Sequence, residues 1–142
     1  MVRTHFFDDF LLYAAWSAGV RQVVLLAAGM DTRAFRLSWP SVTRLYELDR
    51  PEVLTTKEEI LAQTGASPAC QRRLIGADLR HLSWSEALLR VGYEPQESSV
   101  WLMEGLLFYM HQTAVGNPLG VVGTLAPLPT ASWALTSSIK IL

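Results

Sequence analysis

Gln22-Val-Val-Leu-Leu-Ala-Ala-Gly-Met-Asp-Thr-Arg33 is the stretch on which the fold turns. An apolar β-type run closes on a single glycine and an acidic, polar turn. A second run, Thr43-Arg-Leu-Tyr-Glu-Leu-Asp49, follows about one crossover later and ends in a carboxylate. Strand, glycine turn, second strand and terminal acid outline a nucleotide-binding half-fold. The glycine lets backbone approach a ligand closely, and the acid can bond a ribose diol. Together they point to an adenosine-containing cofactor.

Upstream, Phe6, Phe7, Phe10, Leu11, Ala14 and Ala18 fall on one helical face, with Thr4 able to cap the helix and Gly19 to end it. The first strand is predicted over Gln22–Ala27 and the second over Thr43–Leu48. Asp49 can cap a helix from Arg50 to about Gln63, with Pro51 in its first turn and Gly65 past its end. Val53, Leu54, Ile60 and Leu61 supply its buried face, and Lys57, Glu58 and Glu59 lie mostly outside that face. A third strand over Arg73–Ala77 runs into Asp78, and Ser83-Trp-Ser-Glu86 has the pattern of a capping box opening a helix to about Arg90. Gly92 to Glu97 is loop, and Ser99–Met103 is a fourth strand leading to Glu104-Gly105.

Strands alternating with helices predict an α/β fold with a partial doubly wound, Rossmann-like sheet of about four parallel strands. The spatial order expected is 3-2-1-4, with a ligand crevice at the carboxyl ends of the first and fourth strands. Ser99–Met103 would then be an open edge.

The chain has 142 residues, enough for one modest domain with a core. Half of them are apolar and the net charge is −1, which argues against nucleic-acid binding by phosphate neutralisation. Cys70 is the single cysteine, so an intrachain disulfide and a cysteine-based metal cluster are excluded and an inert thiol is expected. His5, His81 and His111 show no metal-ligand spacing, and no metal is expected. Asp8 and Asp9 interrupt any signal-peptide apolar region, and Val23–Met30 is too short to span a bilayer. A cytoplasmic protein without membrane partners is the expectation. From Gln112 to Leu142 there is no acid, Lys140 is the only charged side chain, and Pro118, Pro127 and Pro129 break any helix. This tail reads as poorly ordered, or as foreign to the fold before it.

With these elements placed, the sequence resembles the bacterial, notably mycobacterial, S-adenosylmethionine-dependent methyltransferases related to leucine carboxyl methyltransferases. The resemblance is carried by Val2-Arg3-Thr4, Phe6-Phe7-Asp8-Asp9, the long block from Gly19 to Leu37, Trp39-Pro40, Glu47-Leu48-Asp49, Asp78-Leu79-Arg80 and Trp101 to Leu107. It divides the chain into a partial cofactor-binding domain, residues 1–111, and an unmatched, irregular tail, residues 112–142. Members usually have a helical segment before the Arg-Thr motif and further strands after the fourth, so the resemblance implies a missing N-terminal cap and C-terminal half. The tail looks like the product of a truncation or a reading-frame change.

What the resemblance implies for single residues is as follows. Arg3 looks like the arginine that grips the methionine carboxylate, and Gly29 like the close-approach glycine beneath the methionine moiety. Asp49 looks like the ribose ligand, although a plain helix cap is also open to it. Asp78, with Leu79 beside it, looks like the adenine-edge site, against a solvated turn aspartate. Glu104 stands where the pattern lines the active site, to pair with the cofactor's ammonium or orient the acceptor. Asp31 reads more as a turn-former or helix cap than as a ligand. The five tryptophans are mostly core candidates, and Trp101 is at most a wall of the cofactor cleft.

The function implied is S-adenosyl-L-methionine-dependent methyl transfer to oxygen of a small molecule or carboxylate. Two other readings stand beside it. One is a truncated, non-catalytic remnant of such an enzyme. The other is an NAD(P)-dependent oxidoreductase, which the acid after the second strand suits, but Ala27-Ala28-Gly29-Met30-Asp31-Thr32 supplies one glycine where a Gly-x-Gly-x-x-Gly turn is wanted. The methyl acceptor and the oligomeric state are not legible.

Overall fold

The computed structural model describes residues 2–81, 83–103, 106–110 and 133–134, with side chains over 6–81 and 83–103. Strand β1 (Gln22–Leu26) is buried at every position, as an apolar run with cover on both faces should be. It pairs in parallel with β2 (Arg44–Asp49) on one side and β4 (Ser99–Met103) on the other. Strand β3 (Gln71–Gly76) pairs in parallel with β2. The expected order 3-2-1-4 therefore holds.

Two further strands extend it. β5 (Leu106–Met110) lies antiparallel on β4, and the two-residue β6 (Trp133–Ala134) pairs antiparallel with β5. The expectation that Ser99–Met103 forms an open edge is thus corrected: its outer hydrogen-bonding groups are met by the apolar run that follows within two residues. Apart from Trp133–Ala134, the tail of residues 112–142 lies outside the described residues.

Helix α1 (Val2–Trp16) and the single-turn α2 (Arg33–Arg36) cover one face of the sheet, where Phe7, Phe10, Leu11, Ala14, Ala34, Leu37 and Trp39 pack on Val23, Leu25, Leu45, Val100 and Leu102. The expected apolar face of α1 is narrower than predicted, for Phe6 and Ala18 are exposed. Thr4 falls inside the helix rather than at its cap. On the other face α4 (Ser83–Arg90) sets Trp84 and Leu88 against Val24, Leu26, Tyr46, Leu48, Ile75, Tyr93 and Trp101. Ser83 is already helical, so the expected cap position is shifted. Of the tryptophans, Trp39, Trp84 and Trp101 are buried, whereas Trp16 stays 61% exposed and bonds the Ser38 carbonyl through its indole N–H.

Helix α3 (Pro51–Thr64) joins β2 to β3, with Arg50 at its N-cap, Pro51 in its first turn and Gly65 closing it in the left-handed region. Asp49 is not the cap that was expected. Proline at the start fixes its own φ and lacks an N–H, and the Asp49 carboxylate is turned to other donors. Leu54 is buried as predicted, but Ile60 is 47% exposed and Lys57 only 1%. The helix thus turns a lysine inward and an isoleucine outward, because the strand beneath presents a carboxylate, Glu47, that needs a counterion.

Candidate cofactor site

The carboxyl ends of the parallel strands lie level. Leu26 is in register with Leu48 and Met103, and Asp49 with Gly76. Backbone bonds continue past the strands, from Ala28 N–H to the Leu48 carbonyl at 3.1 Å and from Ala77 N–H to the Asp49 carbonyl at 2.9 Å. The turn after β1 and the acid after β2 are thereby held side by side.

Gly29 and Asp49 meet directly. The Gly29 amide donates to Asp49 Oδ2 at 2.8 Å, and the Arg50 amide to Oδ1 at 2.7 Å. A carboxylate has about four acceptor positions. Two backbone donors leave capacity on both oxygens of this half-buried group for hydroxyl donors. Gly29 has φ +48°, which a side chain adopts only under strain, and a Cβ there would stand 3.9 Å from both the Ala27 carbonyl and Asp49 Oδ2. Those distances are ordinary van der Waals contact, so it is the backbone conformation rather than crowding that favours glycine here. Ala27 is left-handed as well, with φ +53°, and bears the Cβ penalty that glycine avoids. The sequence reading missed it, since alanine gives no signal of such a backbone.

The far end of the turn is clamped by charge. Asp31 Oδ1 accepts the Arg33 amide at 2.8 Å, the turn-forming role expected of it, while Thr32 holds the N-cap position of α2, and Oδ2 pairs with Arg33 Nη1 at 2.5 Å. Arg33 Nε in turn bonds Asp8 Oδ1 of α1 at 2.7 Å, and Arg36 bonds Asp8 Oδ2 at 2.6 Å. Burial alone would raise the Asp8 carboxyl, but the two guanidiniums outweigh it and hold the group below the usual carboxylate range. From α3, Lys57 Nζ donates to the Asp31 carbonyl at 2.5 Å and to Glu47 Oε1 at 2.5 Å. Arg72 completes this buried cluster, with Nε 2.8 Å from Glu47 Oε2 and Nη1 2.9 Å from Glu58.

Asp78 and Leu79 follow β3 at the same end of the sheet. Leu79 packs half-buried against the second face. The Asp78 carboxylate is engaged by the Arg80 amide at 3.0 Å and its guanidinium at 2.6 Å, which, with the nearby His81, hold it far below the usual range. Its partners are thus Arg80 and His81 of its own turn. Arg3 lies in the first turn of α1 with its side chain outside the described residues, as are Glu104, His111 and the His5 side chain. Trp101 is wholly buried, its indole N–H bonded to Ser99 Oγ at 2.8 Å, and so offers no surface to wall a cleft. Cys70 is pushed up to about 11 by burial and by the Glu47 charge, which leaves an unreactive thiol at neutral pH. No helix among the described residues is long and apolar enough to cross a membrane.

The model of the leucine carboxyl methyltransferase family matches residues 1–122. A protein of Parafrankia sp. (strain EAN1pec) is 54% identical over 109 residues, which are 77% of this chain and 34% of that protein. One from Frankia alni is 52% identical over 124 residues, 87% of this chain and 44% of its own. One from Mycobacterium sp. (strain KMS) is 54% identical over 112 residues, 79% and 37% respectively. All three carry the provisional name of S-adenosyl-L-methionine-dependent methyltransferase, and this chain spans between a third and a half of their length. A match over residues 1–122 of the 142 makes this chain a member of the leucine carboxyl methyltransferase family.

Proposed function

We propose that this chain forms the cofactor-binding part of an S-adenosyl-L-methionine-dependent methyltransferase that methylates oxygen of a small molecule, including a carboxylate. The observation that carries the reading is the 2.8 Å bond between the Gly29 amide and the Asp49 carboxylate, which sets a left-handed glycine beside an acid with acceptor capacity to spare. In this reading Asp49 takes the ribose hydroxyls, and the backbone at Gly29 passes close beneath the methionine moiety. Asp78 and Leu79 border the adenine, Arg3 takes the methionine carboxylate, and Glu104 faces the ammonium or the acceptor.

When bound, S-adenosyl-L-methionine supplies a methyl group on a sulfonium, activated for in-line displacement. The protein's part is to hold the two reactants in line and exclude water. An acceptor carboxylate is already nucleophilic at neutral pH and calls for no general base. The single glycine of the β1 turn disfavours a dinucleotide, whose pyrophosphate wants a glycine-rich turn. The lone Cys70 suits the cytoplasm as the compartment.

Titration calorimetry with S-adenosyl-L-methionine, its demethylated product and NAD tests the reading. The first two are expected to bind better than NAD. Asp49→Ala should weaken them by about ten- to a hundredfold, the worth of hydrogen bonds to a charged group. Equal affinity in the variant removes Asp49 from the site, and preference for NAD overturns the cofactor assignment.

A further inference from the structure

Lys57 is 1% exposed, and its ammonium bridges two elements, α3 and the turn after β1. One bond goes to Glu47 and the other to the Asp31 carbonyl, each at 2.5 Å. Glu47 has a second counterion besides Lys57. Arg72 brackets both its oxygens, with Nε 2.8 Å from Oε2 and Nη2 3.1 Å from Oε1. What Lys57 supplies and Arg72 does not is the bond to the turn. That carbonyl lies two residues past Gly29, in a turn where Ala27 and Gly29 are both left-handed. Such a backbone stays in one conformation only where its surroundings over-determine it. On the other side the Asp31 carboxylate is held by Arg33, and Arg33 by Asp8. The turn is thus fixed from α1 through its side chain and from α3 through its main chain.

We propose that Lys57 is a positioning residue for the cofactor site: its ammonium pins the Asp31 carbonyl and so keeps the Gly29 amide on the Asp49 carboxylate. Lys57 acts through the backbone of the turn. The inference rests on the cofactor reading above, and its test keeps the two apart.

The test is amide hydrogen exchange, read by NMR on the ligand-free chain, followed by calorimetry with S-adenosylhomocysteine. In Lys57→Met the Gly29 and Asp31 amides, both hydrogen-bonded in the structure, are expected to exchange about tenfold faster relative to the amides of β1. Affinity should fall by a similar factor. Lys57→Arg, which keeps a charged donor, is expected to stay close to wild type. Glu47→Gln removes the ion pair but leaves Lys57 on Asp31, so it should lower the melting temperature without changing the relative protection of Gly29 and Asp31. Unchanged protection in Lys57→Met overturns the proposal. So does an equal loss in Glu47→Gln, or a Lys57→Met chain that no longer folds while Glu47→Gln does. Because exchange is read without ligand, a wild-type chain that fails to bind S-adenosylhomocysteine counts against the cofactor reading alone, and the exchange result still decides for or against Lys57.

Discussion

The two faces of the sheet are built from different chemistry. Beneath α4, Tyr46, Trp84, Tyr93 and Trp101 meet edge to face, with ring centroids 5.7 to 6.2 Å apart. The polar groups that enter this side are mostly neutral. Ser99 Oγ serves both Tyr93 and Trp101, and the Gln22 amide exchanges bonds with the backbone of Glu94. Beneath α1 to α3, by contrast, Asp8, Arg33, Glu47, Lys57 and Arg72 run through or beside the apolar core as one set of charge-assisted bonds. Apolar burial is strong but has no direction. Charged hydrogen bonds add little net stability for the desolvation they cost, yet they fix geometry. The charged face is the one that touches the turn of residues 27–33. The difference teaches that one face holds the sheet together and the other fixes the turn of residues 27–33, where the proposed cofactor site lies.

Substitutions on each side should separate these roles. The largest effect is expected from Trp101→Ala, which empties a wholly buried indole site and should cost about 3–5 kcal/mol in urea denaturation. The cofactor affinity of the folded fraction should be unchanged. A loss of affinity with stability retained would erase the distinction between the faces. Glu47→Gln leaves Lys57 and Arg72 facing a neutral amide. It should cost about 2–3 kcal/mol by the same measurement, toward the low end for a broken buried pair because Glu58 still meets Arg72.

Asp8→Asn should cost about 1–2 kcal/mol at neutral pH, a charged hydrogen-bond pair reduced to a neutral one. Its pH dependence sharpens the point. The folded Asp8 carboxyl lies below its ordinary value of 3.8, so the contribution is fully present above that value and is lost as pH falls through the lower folded one. Melting temperatures of wild type and Asp8→Asn should therefore differ at pH 6 and converge in acid, below about pH 4. A constant gap would take Asp8 out of the clasp. The smallest effect is expected of Ala27→Gly, which relieves a left-handed alanine but loosens the unfolded chain. A net gain of up to about 1 kcal/mol should show in thermal unfolding, and a loss would mean that the alanine methyl packs usefully there.

Much of the scaffold is legible in the order of residues. Strand order follows from four apolar runs separated by helices, and the site end follows from a glycine and two acids that close three of those runs. What stays hidden has physical reasons. Lys57-Glu58-Glu59 looks like a solvated triplet on a helical wheel, and only the partner across space turns Lys57 inward. A signal was present, since Glu47 sits inside the apolar Leu45-Tyr-Glu-Leu48 and a charge in a central strand needs a counterion. Asp49 reads as a helix cap by position, but Arg50 is the N-cap of α3 and the Asp49 oxygens each accept one backbone amide, from Gly29 and Arg50. Leu106–Met110 is an apolar run that also fits a strand, and the short connection through Glu104-Gly105 suits a return strand beside β4. Nothing in its residue pattern separates that return strand from a buried helical segment, because a run of five apolar residues has no clear period.

The central claim is that the carboxyl ends of β1, β2 and β3, shaped from the charged face, are where the cofactor binds. Its most direct test is a titration of the isotopically labelled chain with S-adenosylhomocysteine, following amide chemical shifts. The largest shifts are predicted to fall on Gly29, Met30, Asp49, Arg50, Asp78 and Leu79. Residues at the opposite ends of the strands, such as Gly19, Arg21 and Ser98 around the 290 Å³ pocket there, should stay still. Shifts gathered around that pocket, or none at saturating ligand, would contradict it.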